Sequence, residues 1–207
     1  QELNLSDSQK EAIQAIREQA KEGRSLFKGE RDEALELMRQ SKQSGTWDAA
    51  TARSLVQSKL INRQAHQLAN AQNKQAVFAV LTAEQQAKFN ANQVARHMVR
   101  DPLKREQKRL KQLLRMANKV DSTEAQLAQL TTINNDATTA MQTYHNTVMI
   151  HKMAERSLIQ SAEFDTQAWQ ALQDEFSPTA IEIGVLRAKT KFDIQQVFNA
   201  KQQKKLR

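Results

Sequence analysis

The stretch Leu81-Thr82-Ala83-Glu84-Gln85-Gln86-Ala87-Lys88-Phe89 reads as the end of one helix, a cap and the start of the next. Thr82 is placed to accept a hydrogen bond from a free backbone N–H of the new helix. Gln85, three residues on, can reach back to the N–H of Thr82, which completes a capping box. The apolar run 76–81 leads directly into it. Leu5-Ser6-Asp7-Ser8-Gln9 repeats the same grammar near the N-terminus. One capping box marks any helix start, so the signal lies in the recurrence.

Composition agrees with helices throughout. The 207 residues are 39% hydrophobic and 5% aromatic, and only four Gly and two Pro interrupt them. Helix-forming Gln, Ala, Lys, Arg, Leu and Glu dominate. This predicts an all-α protein of thin layers of long amphipathic helices. There is no cysteine, which excludes disulfides, thiolate metal sites and a Cys nucleophile. No apolar run reaches the ~18 residues of a membrane span. The chain opens at Gln1 with no signal peptide, as expected where one has been removed or the chain trimmed.

In chain order, Ser6 caps a first helix with Ala12, Ile13, Ile16 and Ala20 at helical spacing. Gly23 and Gly29 bracket a break, and a second helix runs from Glu30 to Gln43. Asp48 caps a third, long helix from Ala49 to Val80, whose thin stripe includes Ala52, Leu55, Ile61, Ala65, Leu68 and Ala76. The helix begun at Thr82 ends near Asp101-Pro102. Residues 103–119 then form an amphipathic connector, with Leu103, Leu110, Leu113, Leu114 and Ala117 on one face and Lys and Arg on the other. Of the net charge of +8, the segment Arg100 to Lys119 supplies +6.

The second half repeats the first at a constant offset of 117 without gaps. Gln43-Ser44 with Trp47-Asp48 becomes Gln160-Ser161 with Phe164-Asp165. Leu55 becomes Leu172, and Phe27 becomes Tyr144. Ser6 and Gln9 become Thr123 and Gln126. Leu81, Thr82 and Gln85 become Phe198, Asn199 and Gln202, and Asn caps as well as Thr. The organisation is therefore a first repeat (1–102), a basic connector (103–119) and a degenerate second repeat (120–207). The second repeat has no glycine between Ser122 and Ser177, so its first two helices are expected to fuse. Pro178 falls inside its long helix and is expected to kink or restart it.

These residues resemble the Spy/CpxP family, whose mark is a pair of LTxxQ motifs. Leu81-Thr82-Ala83-Glu84-Gln85 matches in full, and Leu5-Ser6-Asp7-Ser8-Gln9 has Ser for Thr. The resemblance covers residues 3–100. The second repeat departs from it, with no motif leucine before Thr123 and Phe198-Asn199 in place of Leu-Thr. The resemblance implies a periplasmic location, a role in the stress response and in protein folding, and a thin curved cradle of helices. In the family two chains build that cradle. Here the tandem repeat suggests that one chain builds it alone, as a monomeric pseudo-dimer rather than a homodimer.

The function this implies is an ATP-independent periplasmic chaperone that holds unfolded or partly folded clients on a basic, partly apolar concave surface. The alternatives within the resemblance are a regulator of envelope-stress signalling, bound to a sensor kinase's periplasmic domain, and a zinc-linked stress protein. A mixed surface of long cations and flexible apolar side chains attracts and adapts to many clients. The residues expected to form it are Phe27, Met38, Arg39, Lys42, Arg53, Lys59, Arg63 and Lys74, with Tyr144, Met153, Arg156 and Lys191 from the second repeat. For Phe27 and Tyr144, a core position is the simpler expectation.

Other chemistry finds little footing. No two of His66, His97, His145 and His151 stand three or four residues apart, so none forms a ready metal pair, and no metal or other cofactor is expected. No phosphate loop, HExxH or G-x-S-x-G occurs, and no enzyme activity is expected. The connector lacks the interleaved aromatics of a single-strand nucleic-acid site, so no nucleic-acid partner is expected. A leucine face packed on protein, with a solvated basic face, accounts for it.

Overall fold

A computed structural model of the protein describes residues 3–25, 46–98 and 102–206. Within these residues the fold is all-α. The helices are α1 (Asp7–Ser25), α2 (Ala49–Ala79), α3 (Ala83–Met98), α4 (Pro102–Asn118), α5 (Glu124–Gln142), α6 (His145–Ile159), α7 (Thr166–Gln196) and α8 (Ala200–Lys205). The second helix expected at 30–43 lies outside the described residues, as do Phe27, Met38, Arg39 and Lys42.

The helix starts follow their caps. Asp48 accepts from the N–H groups of Ala50 and Thr51, which opens α2, and Asp165 accepts from Ala168, which opens α7. Ser6, Thr82, Thr123 and Asn199 each sit one residue before a helix and accept from the backbone N–H three residues on. These bonds satisfy donors that the first helical turn leaves free.

The two 31-residue helices α2 and α7 are the spine. They pack on each other more extensively than any other pair. They run antiparallel: Trp47, before α2, meets Phe192 near the end of α7 at 5.6 Å between rings. At the other end, Gln75 donates to the carbonyls of Ser161 and Ala162, just before α7. Between these ends Gly184 lies so close to Val56 that a Cβ there would stand 2.4 Å from Val56 Cγ1. Glycine is what lets the two backbones approach at this point. Helices α5 and α6 flank α7, and α1 flanks α2.

There is no single thick core. One buried cluster joins Ile13, Phe78 and Leu81, with Leu3, Leu5, Val77, Val80 and Phe89 against it. A second joins Ala117, Val120, Leu130, Val197 and Phe198, with Ile194 and Leu206 among its neighbours. The leucine face of α4 packs here through Leu113, Leu114 and Ala117, and its cations Lys108, Arg109, Lys111 and Arg115 are exposed. Trp169 of α7 is fully buried.

Several expectations are corrected. The first two helices after Thr123 do not fuse: α5 ends at Gln142 and α6 begins at His145. The interruption is slight, since Thr143 and Tyr144 both keep right-handed helical dihedrals. There the Tyr144 N–H bonds back to Met141, one residue short of the α-helical partner, and the Thr143 hydroxyl donates to Ala140. Helix α7 runs through Pro178 without restarting. Proline costs one backbone bond there, and packing against α2, α5 and α6 holds the helix on both sides. Gly23 lies in the last turn of α1, which ends at Ser25, and the rest of the break expected between Gly23 and Gly29 lies outside the described residues. Ile61, placed in the buried stripe of α2, is 62% exposed.

Candidate functional site

The motif residues build two knots of side-chain amides. In the first, Gln9 and Gln85 face each other. Gln9 Nε2 donates to Gln85 Oε1 at 2.7 Å, and Gln85 Nε2 donates back to Gln9 Oε1 at 3.1 Å. Each glutamine also receives the N–H of its own capping residue, Ser6 at 3.0 Å and Thr82 at 2.9 Å. The remaining donor of Gln9 goes to the Val80 carbonyl at 2.9 Å. That of Gln85 goes to the carbonyls of Leu3 and Asn4, each at 3.3 Å. Asn4 has φ of 47°, the left-handed conformation that asparagine tolerates, and its carbonyl and that of Leu3 both accept from the one amide. Gln86 closes the turn by donating to the carbonyls of Phe78 and Leu81.

The second knot has the same bonds. Gln126 and Gln202 pair reciprocally at 2.9 and 3.1 Å and accept the N–H groups of Thr123 and Asn199. Gln126 donates to the Val197 carbonyl at 2.7 Å, and Gln202 to the carbonyls of Val120 and Asp121. Asp121 has φ of 56°. Gln203 donates to the carbonyls of Gln195 and Phe198. Each residue stands 117 positions after its counterpart. Four chain segments meet at each knot: a non-helical entry segment, two helix starts and a helix end. Glutamine is required because both of its amide atoms are used, and a carboxylate supplies no donor.

Some of the residues expected to touch clients come together in a groove between α2, α6 and α7, with a volume of about 530 Å³. Lys59 and Arg63 of α2, Lys152 of α6, and Arg187 and Lys191 of α7 line it. All five are exposed, and no Asp or Glu is among the lining residues. Leu55, Val56, Leu60, Ile183, Phe176 and Phe192 supply apolar walls. His151 stacks on Phe176, with ring centroids 4.0 Å apart, and burial pushes its pKa below the usual histidine value.

Other expected residues lie apart from the groove lining. Arg53 is paired with Glu182. Lys74 is exposed further along α2, Tyr144 is half-buried at the α5–α6 joint, and Arg156 is half-buried on α6. Met153 is 64% exposed, and with Ile150 at 68% and Met149 at 36% it forms an apolar stripe on the open face of α6. Sequence reasoning missed Ile150, Met149, Lys152 and Arg187. A signal for part of this was present, since Lys59 and Arg63, like Arg187 and Lys191, stand four apart and share a helical face. The described residues contain no group of three or more His, Asp or Glu fit to hold a metal. No described helix is long and apolar enough to cross a membrane.

The Gln9–Gln85 knot is the physical content of the LTxxQ motif. Residues 1–93 match the family described as LTXXQ motif family protein, and so carry the motif of the Spy/CpxP family. Proteins of this family are typically periplasmic and act as non-enzymatic chaperone or stress proteins. No solved structure matches the chain.

Proposed function

We propose that the protein is an ATP-independent periplasmic chaperone that holds unfolded or partly folded proteins on a basic, partly apolar surface of α2, α6 and α7. The observation that carries this is the open face of α6 and its surroundings. Met149, Ile150 and Met153 are exposed there beside Lys152, and Lys59 and Arg63 are exposed on α2 across the groove. Large apolar side chains set among cations attract an acidic, unfolded chain at long range and then hold its apolar groups loosely. Methionine adapts to many shapes. Arg53, Lys74, Tyr144 and Arg156 extend the same surface along α2 and α6.

The protein does this as a tandem pseudo-dimer within one chain. The reading is supported by the two knots with equivalent bonds 117 residues apart, and by core pairs at the same offset, such as Ile13 with Leu130 and Leu81 with Phe198. It is also supported by the exchange of contacts along α2 and α7. Trp47 meets Phe192, and Gln75, the counterpart of Phe192, meets the segment just before Phe164, the counterpart of Trp47. Such reciprocity is what a two-fold interface produces.

The test is light scattering from a chemically denatured client, with the protein at equimolar ratio and no ATP. Suppression across several unrelated clients, weakened between about 0.1 and 1 M salt as the Debye length shrinks from about 10 to 3 Å, is expected. No suppression with any client would refute it and favour a regulator with one specific partner. Light-scattering mass analysis of the protein alone is expected to give one chain, 23.6 kDa.

A further inference from the structure

The interior of the groove is a different kind of site from its rim. Its walls are three α-helices, whose backbone donors and acceptors are used within the helices. An extended polypeptide laid inside would bury its own amides with nothing to pair with. The groove volume of about 530 Å³ lies within the roughly 300–1,000 Å³ of small-molecule sites. An alkyl chain needs no hydrogen bonds and suits these walls.

The charged lining specifies the other end of the molecule. Cations line the groove along its length, Lys59 and Arg63 from α2, Arg187 and Lys191 from α7, and Lys152 from α6, with no carboxylate among the lining residues. We propose that the groove binds a free, single-chain carboxylate amphiphile of the long-chain fatty-acid class. Its alkyl chain lies along Leu55, Val56, Leu60 and Ile183, and its carboxylate is held by Arg187 and Lys191, one turn apart on α7 toward the Trp47–Phe192 end. The absence of a side chain at Gly184 keeps Val56 and the α7 backbone in contact, which forms the floor. The client reading shares Lys59, Arg63 and Lys152 with this site, and the two are told apart by their readouts, client aggregation there and carboxylate titration here.

The experiment is calorimetric titration of the full-length protein with octanoate, decanoate and dodecanoate, each below its micelle concentration. Saturable binding near one molecule per chain is expected, tightening about fourfold per added methylene. Dodecanol and dodecyltrimethylammonium are expected to bind at least tenfold more weakly. The double variant Arg187→Gln, Lys191→Gln is expected to weaken dodecanoate at least fivefold, and Ala188→Phe, which fills a lining position, to abolish saturation. Circular dichroism of each variant checks its folding, and the chain-length series on the unmodified protein is decisive on its own. No saturable binding of any of the three carboxylates would overturn the proposal. So would equal binding of the cationic amphiphile, or binding only to vesicles of acidic phospholipid. An acidic peptide that binds where dodecanoate does not would assign the groove to polypeptide instead.

Discussion

Replacing Gln202 by glutamate separates a capping box from a knot. A capping box accepts Glu and Gln equally, because only the acceptor oxygen reaches back to the cap. In the structure Gln202 is 7% exposed, and its Nε2 donates to Val120 O, Asp121 O and Gln126 Oε1. A carboxylate keeps the bond from the Asn199 N–H and loses all three of these contacts. Asp121 is exposed and recovers a partner from water, but Val120 is 3% exposed and Gln126 half-buried. The poorly solvated Val120 carbonyl loses its donor, at about 1–3 kcal/mol, while Gln126 Oε1 keeps the Thr123 N–H. The expected loss for Gln202→Glu at neutral pH is about 1–3 kcal/mol, measured by urea unfolding against the unmodified protein at each pH. Facing three oxygens, the carboxyl of the variant has its folded pKa raised above the unfolded value of about 4.3. The protonated form regains a donor, so the variant is nearest to the unmodified protein below about pH 4 and falls away as pH rises through the folded pKa. Gln202→Met, which has no charge, should lose stability without this dependence. Equal urea midpoints for Gln202→Glu and the unmodified protein at neutral pH would refute the amide pairing.

Gly184→Ala puts a Cβ 2.4 Å from Val56 Cγ1 and should cost about 1–3 kcal/mol by overpacking, with Val56→Ala in the same chain restoring part of it in thermal unfolding. His151 has a pKa lowered chiefly by burial, so the unfolded chain takes up its proton first. Stability should therefore be complete above the unfolded value of about 6.5 and decline as pH falls below it, a dependence that His151→Gln should reduce in urea titrations. Ile150→Ser with Met153→Ser should change stability by less than about 0.5 kcal/mol, because both residues are exposed, yet reduce client holding in the scattering assay.

Much of the fold is legible in local chemistry. Ser6, Thr82, Thr123 and Asn199 mark their helix starts because a cap acts over three residues. Asp48 and Asp165, which open the two long helices, are equally local. The joint at Thr143-Tyr144 is not legible, since neither residue breaks helices. Pro178 does not restart its helix, because propensity yields to the packing around α7. The second task of each glutamine is invisible to a local reading: the partner of Gln9 is Gln85, 76 residues away. A trace of it exists in the left-handed pair Asn4 and Asp121, residue types that tolerate that backbone, at the same offset as the glutamines. The groove is legible only as cation pairs four apart on two helices, because α2 and α7 must first be set antiparallel.

The knots also bear on how the chain folds. Each helix is made of contacts a few residues apart and forms within about a microsecond. Each knot joins segments 71 to 82 residues apart. On a ribosome, the first knot cannot close until Gln85 has emerged, nor the second until Gln202 has. Loop closure over such spans, and over the 129 residues between Arg53 and Glu182 where α2 meets α7, is slow beside helix formation. The native state is then reached by meetings of distant segments, glutamine with glutamine at each knot among them, after the helices themselves are complete.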